Sequence, residues 1–424
     1  MEGTTIGGGA GRRGDDVRSD CWVAVELTDS GGLQLEVKSR VGTLYGPSIT
    51  KGLEDTLRAL GIENARVEVE DQGALPWVIQ ARLEAALSRA GAPPTTRSHL
   101  PPARVLPPPG GTPRDRLRRS RLYLPGNEPK FMLNAGLHGP DGVILDLEDS
   151  VHPDQKDSAR FLVLHALRNV DFGGAERMVR INQGSLGLQD LDAVVPEGPE
   201  LILLPKVETS DQVRTVHERI LEIQERCGLQ YPVWLMPILE SALGVENAFA
   251  IAAAAPTVAA LTIGIEDYTA DLGVVKTTDG AESLWARSRL VNAARAGGVQ
   301  AIDSVFGDVA DEEGLLAWGR RARAMGFQGM GCIHPRQIRV IHEAFAPSRE
   351  ELEKALRIVA AFEEAQKKGL GVVSLGTKMI DRPVVLRARS LVERAREAGM
   401  IPQTDKDLPA GEGDGSPEGG EESR

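Results

Sequence analysis

Leu235-Met236-Pro237-Ile238-Leu239-Glu240 and, one helical stretch later, Leu261-Thr262-Ile263-Gly264-Ile265-Glu266-Asp267 share one design: a short apolar run ending in carboxylates. Uninterrupted apolar runs suit parallel strands covered by helices, and the carboxyl ends of neighbouring parallel strands open onto one face. Glu240 and Asp267 would meet there. The design recurs over residues 121–125, 142–149, 178–182, 201–208, 233–241, 260–267, 299–305 and 329–334, with helical segments between them. Eight such units predict a closed (β/α)8 TIM barrel. An open doubly wound sheet is the alternative, but Pro125-Gly126-Asn127 after the first run is not the G-x-G-x-x-G phosphate fingerprint such a sheet would carry.

The 424 residues, 41% of them hydrophobic, are enough for at least one large core and two or three domains. A formal net charge of -12 disfavours nucleic acid or an anionic membrane surface as the main partner, and small anionic substrates would need local cations. Cys21, Cys227 and Cys332 have no paired spacing, so neither a disulfide framework nor a zinc site is expected. The N-terminus has no apolar signal region and no run approaches a membrane span; a soluble, cytoplasmic protein is the simplest expectation.

Outward from the barrel, glycine-rich residues 1–20 are expected to be flexible. Residues 21–91 read as a small α+β domain of order ββαβα, its first two strands a hairpin about Ser30-Gly31-Gly32. Ile49, Leu53, Leu57 and Leu60 fall on one helical face, and Ile79, Leu83, Ala86 and Leu87 on another. Residues 92–116 carry clustered prolines and arginines and predict a stiff, exposed linker between two folding units. The barrel with its C-terminal segment takes residues 117–400. Residues 401–424 predict an acidic, disordered tail.

In a barrel, chemistry collects at strand C-termini. Glu240 and Asp267 supply hard oxygen ligands from adjacent strands and leave positions for water and a chelating substrate, which suits Mg²⁺. The alternative is that each caps the following helix or pairs with a cation. Arg180 could grip a substrate carboxylate through its planar fork, or could pair structurally with Asp146 or Glu148. Among Asp146, Glu148 and Asp149, only Glu148 is a candidate for direct contact; the others are expected to orient waters and Arg180. Lys206 reads as structural, His334 as a helix-entry hydrogen bonder and Cys332 as buried and inert.

Several motifs carry a resemblance over residues 119–395. Arg119-Ser120-Arg121-Leu122-Tyr123-Leu124-Pro125-Gly126, Leu145-Asp146-Leu147-Glu148-Asp149, Val179-Arg180-Ile181-Asn182, Leu204-Pro205-Lys206, Ile238-Leu239-Glu240-Ser241, Gly264-Ile265-Glu266-Asp267 and Cys332-Ile333-His334-Pro335 together resemble the citrate lyase beta subunit and the malyl-CoA-type lyases of the HpcH/HpaI aldolase superfamily. The resemblance implies a trimeric or hexameric (β/α)8 barrel that cleaves or forms a carbon–carbon bond beside an acyl thioester with Mg²⁺. It makes Glu240 and Asp267 the metal ligands, with Glu240 also at the substrate, and Arg180 the arginine that binds the oxo-acid. Lys378-Met379-Ile380-Asp381-Arg382-Pro383 resembles the family's C-terminal lid motif, in which the aspartate, here Asp381, is acid/base at the thioester's alpha carbon.

Residues 18–90, through Asp71-Gln72-Gly73-Ala74-Leu75 and Ala81-Arg82-Leu83-Glu84-Ala85, resemble the acyl carrier (gamma) subunit of citrate lyase. In that family a serine two residues before an aspartate carries a phosphoribosyl-dephospho-CoA arm. Here Arg18 holds that position, and Ser19, one residue on, is the candidate attachment site. The combined resemblance implies cleavage of a citryl thioester, carried on CoA or on such an arm, to an acetyl thioester and oxaloacetate, with the citrate lyase alpha subunit as a partner. A malyl-CoA or citramalyl-CoA lyase, or a non-catalytic carrier-fused subunit of a citrate lyase complex, are the alternatives.

Overall fold

A computed structural model of the chain describes residues 7–93, 100, 102–104, 108, 110–367, 373–375, 378–397 and 399–401. Residues 1–6, much of 92–116 and the expected acidic tail beyond residue 401 lie outside these. The chain divides into two compact units, Met1–Phe345 and Ala346–Arg424.

The first unit holds the expected barrel. Strands β5 (Ser120–Pro125), β6 (Gly142–Asp146), β7 (Glu176–Arg180), β8 (Leu201–Leu204), β9 (Trp234–Leu239), β10 (Ala260–Ile263), β11 (Gln300–Asp303) and β12 (Gly329–Cys332) form a closed parallel barrel in which β12 pairs with β5. Side chains of alternate residues fill its interior: Ile144, Met178, Leu201, Leu203, Met236, Ile238, Ala260 and Ile302 form one buried cluster, with Tyr123 and Trp234 packed against it. The opposite faces of the strands, such as Val143, Leu145, Val179 and Leu235, join the larger core under the helices. Burial on both sides is why the strands read as unbroken apolar runs.

The small domain departs from expectation in two ways. Its sheet has the order β1-β2-β4-β3, built from β1 (Gly7–Gly11), β2 (Cys21–Leu27), β3 (Leu33–Ser39) and β4 (Ala65–Asp71). Residues 7–11, expected to be flexible, are therefore an edge strand antiparallel to β2. Glycine is needed there for clearance: a Cβ on Gly8 would lie 2.1 Å from the Ala86 carbonyl oxygen in helix α2 (Pro76–Arg89). The second correction concerns β2 and β3, which do not form a hairpin. Helix α1 (Gly42–Ala59) is a crossover that returns the chain as β4, parallel to β3 and antiparallel to β2, and β4 inserts between the two. The Asn64 side chain accepts from Gly32 N at 2.9 Å and ties the opened turn to the entry of β4.

The domain is also not separated from the barrel. Trp77, Val78 and Ala81 of α2 belong to the barrel's own core cluster. Polar contacts surround that patch: Glu84 meets His165 Nε2 at 2.8 Å, Arg89 Nε donates to Asp157 at 2.7 Å, and Arg82 Nη2 donates to the Asn127 carbonyl at 3.2 Å. The end of the expected exposed linker is docked as well. Arg114 donates to the Val258 carbonyl at 2.7 Å, and the Trp234 indole donates to the Thr112 carbonyl at 2.8 Å, both at the N-terminal ends of barrel strands.

The second unit contains helix Arg349–Lys367, the antiparallel strands β13 (Val373–Leu375) and β14 (Lys378–Ile380), and helix Arg382–Glu397. Leu352, Ala355, Ile358 and Phe362 pack with Ile380, Val385, Ala388 and Val392 in a core of their own. No helix among the described residues is long and apolar enough to cross a membrane.

Candidate active site

A cavity of about 230 Å³ opens at the carboxyl ends of the barrel strands and is lined by Tyr123, Asp146, Arg180, Glu240, Asp267 and Ser304 among others. Glu240 follows β9 and is 5% exposed, with Oε1 accepting from the Lys206 backbone amide at 2.6 Å. Lys206 makes that bond from a left-handed backbone, φ +51°, which is costly for a residue with a Cβ and marks the turn after β8 as built around Glu240. On the other side Gly264 gives clearance, since a Cβ there would lie 2.4 Å from Glu240 Oε2. Asp267 lies in the first turn of helix Ile265–Leu272, where the helix dipole favours a negative charge.

Neither carboxylate takes the alternative roles weighed from the sequence. Ser241, not Glu240, caps the helix after β9, and no cation among the described residues pairs with Asp267. Its neighbour Glu266 is the one that pairs with Lys276. Burial pushes the Glu240 carboxyl up to about 8; the Lys206 amide opposes the rise, and the charges of Asp267 and Glu148 add to it. A buried acid raised in part by like charges is one whose ionised form a cation would stabilise. Among the described residues no three His, Cys, Asp or Glu side chains converge to hold a metal. A two-carboxylate site that leaves most positions to water and substrate oxygens fits the habits of Mg²⁺.

Arg180, at the end of β7, is gripped by Asp146 through two bonds of 2.6 and 2.7 Å, and its Nη1 lies 3.1 Å from Glu148. Its guanidinium also stacks 5.2 Å above the Tyr123 ring. Burial works to raise the Asp146 carboxyl, but the hydrogen bonds and charge of Arg180 outweigh it and hold it below the usual carboxylate range. The structural pairing weighed for Arg180 is thus present, while its guanidinium still lines the cavity. Glu148 bridges Arg180 to Lys206, whose Nζ lies 3.0 Å away. Burial raises its carboxyl, against the pull of Arg180. Its oxygens are engaged by protein cations, so its geometry is that of an orienting group.

The remaining candidates fall elsewhere. His334 Nδ1 accepts from Arg336 N at 3.2 Å at a helix entry, and Cys332 is fully buried with its thiol pushed by burial to about 12. Asp381 belongs to the second unit; it is exposed, and its carboxylate accepts from Val384 N at 3.1 Å at the start of helix Arg382–Glu397. Ser19 is partly exposed with φ +56°, its amide bonded to the Gln72 carbonyl at 3.2 Å, while the adjacent Asp20 is buried against Arg82 at 2.7 Å. The sequence reading missed the part played by Lys206 at Glu240. No motif signals it, because the contact is made by the main chain.

A family model described as HpcH/HpaI aldolase/citrate lyase matches residues 119–335, and one described as malonate decarboxylase delta subunit (MdcD), an acyl carrier family, matches residues 14–90. The citrate lyase subunit beta of Leuconostoc mesenteroides subsp. cremoris is 40% identical over 68% of this chain and 96% of its own length. The mitochondrial citramalyl-CoA lyase of Mus musculus is 36% identical over 66% of this chain and 86% of its own. Among solved structures, protein CitE from Mycobacterium tuberculosis in complex with magnesium, acetoacetate and coenzyme A superposes with a TM-score of 0.54 at 32% identity, covering 66% of this chain and 98% of that one.

Proposed function

We propose a reaction on one premise: the chain belongs to the HpcH/HpaI aldolase/citrate lyase family and is a carbon–carbon lyase. The substrate is a 3-hydroxy-3-carboxyacyl thioester, with citryl the leading case, and the products are an acetyl thioester and oxaloacetate. The observation that carries this reading is the pair Glu240 and Asp267, lining one cavity with Arg180 and with no ion-pair partner among the described residues.

Glu240 and Asp267 would hold Mg²⁺, which when bound supplies positive charge beside the substrate's hydroxyl and neighbouring carboxylate. Arg180, fixed by Asp146, presents a cation that need not reorganise as charge develops on the departing oxo-acid. Lys206 and Glu148 hold that arrangement in place. As the C–C bond breaks, the hydroxyl loses its proton to water and becomes the oxo-acid's carbonyl, the bonding electron pair passes to the two-carbon thioester fragment as an enolate, and we assign protonation of that enolate to Asp381. What supports Asp381 is the resemblance of residues 378–383 to the family's lid motif.

Citramalyl- or malyl-CoA cleavage is the second reading, favoured by the citramalyl-CoA lyase relatives, and it would use the same residues. We place the reaction in the cytoplasm, in a homo-oligomer able to engage a citrate lyase alpha subunit. The small domain acts with thioesters of free CoA or, through Ser19, with a covalent arm; intact mass of protein from its native host decides between them. A panel of citryl, citramalyl and malyl thioesters, free and carrier-linked, tests the whole reading with Mg²⁺. Oxaloacetate release should require the metal and fall at least ~100-fold in Glu240→Ala and Asp267→Ala. Wild-type rates in either variant with EDTA present would remove the metal assignment.

A further inference from the structure

Beneath the carboxylates of the cavity lies a charge that the reaction above does not use. Arg121, in β5, faces the barrel interior and is 1% exposed. Its Nη1 meets Met236 Sδ at 2.9 Å and its Nη2 donates to the Thr262 hydroxyl at 3.2 Å, while Nε has no partner among the described residues. No carboxylate among the described residues pairs with it. Other buried arginines of this barrel are neutralised: Arg118 by Glu176 at 2.7 Å, and Arg287 by Asp303 at 2.6 Å. A guanidinium cannot shed its proton, and a buried charge without a counter-charge is among the costliest arrangements in a protein interior.

The position of Arg121 points to what balances it. It lines the same cavity as Glu240 and Asp267. Gly331 lets Val305 and Tyr123 pack close beside it, since a Cβ there would lie 2.7 Å from Val305 and 3.1 Å from the Tyr123 ring. Thr262 in β10 touches Arg121, and Gly264 just past the strand abuts Glu240, so the two side chains meet backbone positions one strand repeat apart, roughly 7 Å, a length comparable with a four-carbon dicarboxylate.

We propose that Arg121 is a specificity-determining residue that binds the second carboxylate of a dicarboxylic oxo-acid, the one remote from the hydroxyl carbon's own carboxylate. This rests on the lyase reading and narrows it. Citramalyl and malyl thioesters carry a methyl group or a hydrogen where citryl carries the carboxymethyl group, and would leave the guanidinium unpaired. Arg180 faces the cavity with its charge already balanced by Asp146, whereas Arg121 has only the neutral partners Met236 and Thr262, so its charge is the one that a second substrate carboxylate would balance.

The full chain with Mg²⁺ provides the test, with Arg121→Met as the variant. The kcat/KM for citryl thioester should fall roughly 10- to 150-fold, the loss of a charge-assisted hydrogen bond, while citramalyl thioester is cleaved as well as before or better. Independently of turnover, calorimetric titration should show a preference for oxaloacetate over pyruvate that collapses in the variant. Equal losses on both thioesters, or an unchanged oxaloacetate preference, overturn the proposal. If wild-type protein cleaves neither thioester, the lyase reading fails while the titration still decides on Arg121. Should Arg121→Met not fold, Arg121→Gln, which keeps donors without charge, is read in the same way.

Discussion

Glu240 carries the site's most informative titration. Its carboxyl in the folded, metal-free protein titrates at about 8 rather than at the ordinary 4.5. Between those values the folded state holds a proton that the unfolded chain releases, so stability should fall as pH rises through the window and level off above it. A shift of that size at a buried group is worth on the order of a few kcal/mol. We therefore expect the melting temperature in EDTA to decline from pH 5 to pH 8 more steeply for wild type than for Glu240→Gln. Added Mg²⁺ should offset the decline, because binding expels the proton. Parallel slopes for the two proteins in EDTA would refute this.

Legibility at this scale depended on what kind of property made a residue important. That Glu240, Asp267 and Arg180 line one cavity could be expected because each lies at or just after the carboxyl end of an apolar strand, and those ends share a face. The pairing of Arg180 with Asp146 was visible only in the coordinates, where the same guanidinium also lines the cavity. Lys206 acts through a backbone dihedral and Arg121 through having no carboxylate partner among the described residues. Neither property is written in residue type or spacing.

At the scale of elements, the barrel strands were legible because burial on both faces imposes a one-dimensional pattern, whereas the small domain's edge was not. Gly7–Gly11 shows no alternation, because close approach of α2 at Gly8 and of β2 at Gly9 and Gly11 leaves no space for side chains there. The hairpin reading failed for a related reason: local turn chemistry about Gly31 and Gly32 is the same whether β3 pairs with β2 or waits for β4. Gly8→Val should then cost about 1–3 kcal/mol by overpacking against α2. Thermal unfolding checks this, with Gly307→Ala as a control at a glycine that has nothing within 4 Å of its Cβ position and no positive φ. A Gly8→Val protein no less stable than that control would argue against the edge strand.

At the scale of the whole first unit, proline-rich composition suggested separate domains, but composition does not report where an amphipathic helix buries its second face. Helix α2 is buried along nearly its whole length because it serves two cores: Ile79, Leu83 and Leu87 face the small sheet, while Trp77, Val78 and Ala81 face the barrel. A carrier domain that visits a distant site must leave its dock, and here undocking would expose Trp77 and break the buried Glu84–His165 contact and the Arg82 bond to Asn127. The domain is thus built as a fixed wall of the barrel unit. Trp77→Ala should cost about 3–5 kcal/mol, and the loss should be shared. Hydrogen exchange in the full chain should quicken together in β2–β4 and β5–β8, with a single calorimetric transition for both. Faster exchange confined to the small sheet, with the barrel strands unchanged, would mean that the two fold independently and that the small domain is free to move.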